Sequence, residues 1–246
     1  MLGRLIMENK IKTDARLDAA LSFVRKGAVV ADVGTDHGYI PIYLVSSGIS
    51  EYAYASDVNA QPLEKAKANA RKYGVEDRIA FRLSDGLGFV EKGETNEKYP
   101  ISDAVICGMG GELIAKIIDE SDYVRQTGVR LILQPMTRAD KLREYLAENG
   151  FATVGEKLCE AAGKIYTVIC AEYDGVARNT TEAEAAVGLC GADSDGRLAR
   201  EYLDEILKKR KTKIAGLKSG GRSTKEEKRT YREIKRLFRK QRRKSR

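Results

Sequence analysis

From residue 28 to about residue 173, short apolar runs alternate with longer stretches in which apolar residues return every three or four positions. The short runs have the length of buried strands, and the longer ones have the period of helices that bury one face. Residues 28–32 predict a first strand and residues 40–47 its helix. Residues 52–57 predict a second strand. A helix follows over 59–72 and tolerates Pro62 near its first turn, where a backbone N–H has no intrahelical partner. A third strand is predicted over 79–83, with residues 86–89 just after it. A fourth is predicted over 104–107 with a helix over 111–118, and a fifth over 129–134 with a helix over 139–148. Asn149-Gly150 stops that helix. Residues 151–159 and 164–173 then predict a hairpin about Ala161-Ala162-Gly163. Five strand–helix units followed by a strand pair predict an α/β fold, a Rossmann-like and mainly parallel sheet with an antiparallel closing element. Right-handed crossovers put the carboxyl ends of the parallel strands, and any ligand they hold, on one edge.

From about Thr180 the pattern changes. Leu198, Tyr202, Ile206, Ile214 and Leu217 recur at helical spacing among charges, KSGGRS at 218–223 interrupts them, and Tyr231, Ile234, Leu237 and Phe238 resume the repeat. This predicts two amphipathic helices about a Gly-Gly turn, a helical hairpin resembling a short antiparallel coiled coil. The chain therefore divides into a body, residues 1–178, and a hairpin, residues 179–246.

Charge sharpens that division. Residues 197–246 hold 21 Lys and Arg against 6 Asp and Glu, a net +15, while residues 1–196 hold 23 against 30, a net −7. An acidic body with a strongly basic tail points to a polyanionic partner such as a nucleic acid. At 42% hydrophobic the chain can bury a core. It has no apolar run of about 18 residues, so no transmembrane helix is expected. The opening stretch MLGRLIMENKIKTDARLDAAL is charged and lacks the apolar centre of an export signal. Cys107, Cys159, Cys170 and Cys190 are scattered with no CxxC pair, which argues against zinc and for a reducing compartment. His37 is the only histidine, which leaves Ser-His-Asp chemistry and multi-histidine metal sites almost no candidates. The expectation is a cytoplasmic monomer with no membrane and no metal.

The candidate chemistry sits at predicted strand ends. AVVADVGTDHGYIP, residues 28–41, reads strand, Asp32, glycine turn, helix. Such a turn presents backbone N–H groups to a nucleotide. The turn is not G-x-G-x-x-G: only Gly34 and Gly38 are in place, with Asp36 between them. A carboxylate there repels a pyrophosphate but suits the sulfonium and ammonium groups of S-adenosylmethionine (SAM). His37 beside Asp36 is either structural or a substrate-orienting group. Asp57, with Val58 after it, ends the second strand 25 residues beyond Asp32, near the spacing of an acidic residue that accepts ribose hydroxyls. It also precedes a helix that it could cap. Asp85-Gly86 after the third strand could accept from an adenine amino group, or could be an ordinary turn. Cys107-Gly108-Met109-Gly110-Gly111 follows the fourth strand, where three bare residues would let a flat substrate approach the backbone. Gln134-Pro135-Met136 after the fifth strand could offer a side-chain amide to a base edge, or could be a loop.

VVADVGTDHGYIPIYL, ASDVN, SDGL, ICGMGGELI and LILQP, in that order and ahead of a basic helical hairpin, resemble the TrmK-type bacterial tRNA (adenine-N1)-methyltransferases. The resemblance covers essentially the whole chain. It implies a class I SAM-dependent methyltransferase sheet, tRNA as partner and the adenine at tRNA position 22 as target. It implies a SAM pocket lined by Gly34, Asp36, Asp57, Asp85 and the Cys107–Gly108 region, and Asp32, Gly38, Val58 and Gly86 beside them complete the candidate cofactor-binding set. Asp36, His37, Gly108, Met109 and Gly110 are the candidates for the catalytic face. The N/D-P-P-Y/F motif of many amino-group methyltransferases is missing after the fourth strand. Adenine N1 carries a free lone pair at neutral pH, so no general base is obligatory. The rival readings are a methyltransferase for another RNA or a small molecule, and a non-catalytic RNA-binding protein with a degenerate nucleotide fold.

Overall fold

The computed structural model describes residues 11, 13–192 and 196–244. Seven strands form one sheet in the order β3-β2-β1-β4-β5-β7-β6. They are β1 Val30–Val33, β2 Ala53–Asp57, β3 Ile79–Leu83, β4 Asp103–Gly110, β5 Arg130–Thr137, β6 Phe151–Ala161 and β7 Lys164–Tyr173. β1 runs parallel to β2 and β4, and β2 parallel to β3. β6 and β7 pair antiparallel, as the hairpin pattern predicts. Their turn places Ala162 (φ 50°) and Gly163 (φ 69°) in the left-handed region, the geometry that matches the twist of a two-residue hairpin.

The helices are α1 Ala15–Leu21, α2 Tyr39–Ser46, α3 Ala60–Lys72, α4 Gly88–Glu91, α5 Gly111–Asp119, α6 Asp122–Thr127, α7 Ala139–Glu148, α8 Glu182–Val187, α9 Gly196–Ser219 and α10 Lys225–Lys244. Several expected boundaries move. β4 continues through Gly108-Met109-Gly110, three residues past its expected end at Cys107. β5 likewise runs on through Pro135 and Met136, past its expected end at Gln134. Three short helices, α1, α6 and α8, escape the periodicity because six or seven residues barely complete two turns. Their signals are caps. Asp14 accepts from the N–H groups of Arg16 and Leu17, and Thr181 with Glu184 forms a capping box.

By contact density the chain forms two compact units, residues 1–107 with 117–132, and residues 108–116 with 133–246. In the first, Ile42 and Val45 of α2, Ala70 of α3, and Ala53 and Ala55 of β2 share a core with Val75 and Ile79. In the second, Leu158 of β6, Ala183 and Val187 of α8, Leu198 and Leu207 of α9, and Ile234 and Phe238 of α10 form one cluster. The apolar stripes of the helical hairpin are thus shared with α8 and a strand, and are not confined to a seam between its own two helices.

A buried ion pair ties this second unit together. The Arg143 Nε on α7 donates to the Glu156 Oε1 on β6 at 2.7 Å, and its Nη1 donates to the Ala185 carbonyl at 2.8 Å. Glu156 also accepts from the Leu189 N–H. The nearby Gly188 has φ +55°, and a Cβ there would fall on the Arg143 guanidinium. Both charges are satisfied, which is the condition for burying them without a large penalty.

Candidate active site

Parallel register sets the edge at which the candidate residues emerge. Val33 pairs with Ser56 and with Ile106, and Ser56 pairs with Arg82. One residue farther along lie Gly34, Asp57 and Cys107, with Ser84 and Asp85 just past the end of β3. The first unit thus brings the expected nucleotide-contacting residues to one edge of its strands.

The turn after β1 is tied to its neighbour. The N–H groups of Gly34 and Thr35 both donate to the Ser56 carbonyl, at 2.8 and 2.9 Å. Gly34 takes φ 78°, which only a residue without Cβ adopts readily. Gly38 is the N-cap of α2 at φ 70°, and a Cβ there would come within 3.0 Å of the Ala66 Cβ on α3. The spacing of the two glycines therefore has a packing reason as well as any ligand-binding one. Between them the Asp36 side chain is 75% exposed, and its Oδ2 lies 3.4 Å from the His37 Nε2. The His37 ring stacks on Tyr39 with centroids 5.3 Å apart. Asn69 on α3 donates from Nδ2 to the His37 carbonyl at 3.0 Å and so anchors the turn from below. No sequence signal marks Asn69 or Tyr39 for these roles.

Asp32 lies one residue before the end of β1 and is buried. Burial pushes its carboxyl up to about 7, the neighbouring Thr35 hydroxyl opposes the rise, and the Asp57 charge adds to it. The unfolded chain releases this proton near the ordinary carboxylate value of about 3.9. The folded chain binds more protons between the two values, so this contribution to stability is present at low pH and is lost as pH rises through that window. The expected loss between pH 4 and pH 8 is on the order of 3 kcal/mol. Urea midpoints should fall over that range in the wild type and fall less in Asp32→Asn. Parallel profiles for the two proteins would show that Asp32 is ionised throughout.

Asp57 closes β2, and its Oδ1 accepts from the Asn59 N–H at 2.8 Å. Asn59, not Asp57, is the N-cap of α3, so the capping alternative is replaced by a local turn that fixes the carboxylate at the strand end. Val58 beside it is 59% exposed. Asp85 is exposed, and its carbonyl accepts from the Gly88 N–H at 3.0 Å. Gly86 has φ +54°, and a Cβ there would press on Ile117 at 2.9 Å.

In the second unit, the Gly108 N–H donates to the Gln134 Oε1 at 3.2 Å, and the Gln134 Nε2 donates to the Pro135 carbonyl at 3.1 Å. The Gln134 amide is buried and committed at both ends, so it fastens Gly108 in place and is not free to read a base edge. Gly108 has φ +81° with open space where a Cβ would point. Gly111 is the opposite case: a Cβ there would fall on the Arg138 carbonyl oxygen, which belongs to backbone and cannot swing away. Gly111→Ala is expected to cost on the order of 3 kcal/mol, by overpacking against backbone. Gly108→Ala should cost only the left-handed backbone penalty, about 1–2 kcal/mol. Urea unfolding of both variants checks this, and equal midpoints would contradict the close approach at Gly111.

The methyltransferase-domain family matches residues 13–169. The tRNA (adenine(22)-N(1))-methyltransferase of Bacillus subtilis (strain 168) is 36% identical over 176 residues, covering 68% of this chain and 71% of its own length. The crystal structure of the B. subtilis M1A22 tRNA methyltransferase TrmK superposes with a TM-score of 0.73 at 29% identity, covering 95% of this chain and all of that one. A Streptococcus pneumoniae protein solved in complex with S-adenosyl-L-methionine superposes with a TM-score of 0.70 at 30% identity, over 94% of this chain. With the sheet order and the strand-end residues above, these likenesses settle the family: the chain belongs to the methyltransferase-domain family and, within it, to the TrmK-type tRNA (adenine(22)-N1)-methyltransferases.

Proposed function

We propose that the protein is a SAM-dependent methyltransferase that transfers a methyl group to N1 of an adenine in tRNA, at position 22 as in the relative from B. subtilis. One observation carries the SAM assignment beyond the family. The ligand edge of the first unit offers carboxylates, Asp36, Asp57 and Asp85, and its glycine turn holds no Lys or Arg. Those acceptors fit a cationic nucleoside without phosphate, and Asp36 in the turn would repel a pyrophosphate. The Oδ2 of Asp57 has no partner among the described residues while its Oδ1 is fixed by Asn59, an acceptor arrangement suited to ribose hydroxyls.

In this reading Asp57 holds the ribose, with Val58 beside it, and Asp85-Gly86 meets the adenine amino group. Gly34 and Gly38 let backbone approach the ligand, Asp36 faces its ammonium end, and Cys107 and Gly108 line it. Asp32 supports the turn from inside the sheet. When bound, SAM supplies a methyl group made electrophilic by its sulfonium. Adenine N1 has no proton to lose, so the chain's own task is to orient the base and exclude water. Gly108, Met109 and Gly110 are assigned to the base, because bare backbone admits a flat ring. Methylation at N1 leaves a cationic base, and Asp36, beside His37, is the candidate carboxylate for that charge where the SAM ammonium does not hold it.

N1 is hidden in a Watson–Crick pair, so a paired target must be extruded at a cost of a few kcal/mol. Residues 179–246 are assigned to tRNA, whose backbone would offset that cost. Arg232, Arg236, Arg239, Lys240 and Arg243 are exposed on α10, while Ile234 and Phe238 on its other face are buried. Among the described residues no helix is long and apolar enough to cross a membrane. Action on tRNA in the cytoplasm is the assignment. Titration of the protein with SAM by calorimetry tests the cofactor assignment. Saturable binding is expected, and no heat with SAM in large excess would overturn it.

A further inference from the structure

A cleft of about 400 Å³ lies wholly within the second unit. Its lining includes Met136, Thr137, Tyr166, Glu205, Ile206 and Lys209. Arg210 and Lys213 also reach it, but Glu182 and Glu227 hold both. Lys209 is exposed and has no ion-pair partner among the described residues. The Thr137 Oγ1 stands 3.5 Å from where a Cβ on Gly110 would lie, so the cleft adjoins the glycine segment of β4.

We propose that this cleft binds one unpaired nucleotide of the RNA substrate, next to the adenine that is methylated. The inference rests on the tRNA-methylating reading. The volume is that of a small-ligand pocket and suits a single nucleotide. Tyr166 offers a ring on which a base stacks, with Met136 and Ile206 as apolar neighbours. Glu205 accepts from an exocyclic amino group. Lys209, one turn farther along α9, meets the phosphate. A site for bare phosphate would need neither the ring nor the carboxylate, and a site for an apolar ligand would carry neither Glu205 nor Lys209. Holding a neighbouring base out of the stack keeps the target adenine extruded, which lowers the cost of presenting N1.

Four full-length proteins test this: wild type, Tyr166→Ala, Tyr166→Phe and Lys209→Ala, each assayed for SAM affinity by calorimetry and for KM and kcat with a tRNA transcript. Tyr166→Ala should raise the KM for tRNA about tenfold through lost stacking. Tyr166→Phe, which keeps the ring, should recover most of that loss, and Lys209→Ala should raise KM about threefold. SAM affinity should hold in the alanine variants. If Tyr166→Ala fails to fold, the exposed Lys209 carries the test. Wild-type KM in the alanine variants, with tRNA still methylated, would overturn the cleft assignment and leave the methyltransferase reading standing. No methyl transfer to tRNA by the wild type would overturn both.

Discussion

Asp57→Ala is expected to weaken SAM binding about a hundredfold or more, since hydrogen bonds to an ionised acceptor contribute about 1.5–3 kcal/mol each and two ribose hydroxyls are at stake. The carboxylate is fixed at the end of β2 by the Asn59 N–H, so its aim does not depend on a mobile side chain. Asp57→Asn keeps an acceptor for that N–H but loses the charge, and should fall between wild type and alanine. Calorimetric titration with SAM, alongside a thermal melt to confirm folding, measures the effect. Unchanged affinity in both folded variants would confine Asp57 to its local turn.

The second large effect is expected on tRNA. Replacing Arg232, Arg236, Arg239 and Arg243 together by glutamine removes four exposed cations from one stripe of α10, which spans about 16 Å at 1.5 Å per residue. If each meets a phosphate, affinity for tRNA falls by about 10²–10³-fold at low salt, and the slope of log K against log salt flattens by about 3–4. SAM affinity should be untouched. Filter binding across a salt series reads both quantities, and an unchanged slope would place the phosphate contacts elsewhere. Deleting residues 197–246 is a poorer test. α9 and α10 cover Leu158, Ala183, Val187 and Cys190, so truncation uncovers a core as well as removing charge.

Strand and helix limits were legible where chemistry changes sharply at both ends. The run at 79–83 predicts β3 with its observed limits, and the pattern at 139–148 does the same for α7. They were illegible where tertiary contacts override local preference. Three glycines ordinarily end a strand, yet β4 runs through Gly108 and Gly110 because Gln134 fastens one side and Gly111 must pass close to the Arg138 carbonyl. The strand-end acids Asp57 and Asp85 could be found in sequence because parallel topology dictates where they emerge. The commitment of Gln134 to Gly108 could not, since a lone amide gives no sign of which backbone group it will meet. Arg143 and Glu156 carry no sign of pairing in the sequence, and the packing of α8, Cys190 and Tyr202 of α9 around them makes a buried pair. The Thr181–Glu184 capping box was written in the sequence and marks α8 more plainly than its short apolar pattern does.

Methyl transfer to adenine N1 can be read on the tRNA itself. Unmodified tRNA is incubated with the purified protein and SAM, digested, and its nucleosides are mapped by mass spectrometry. N1-methyladenosine is expected at position 22, with its loss in Asp57→Ala at limiting SAM. Tight SAM binding with no methylated adenine, or a methyl group on the exocyclic amine instead of N1, would contradict it.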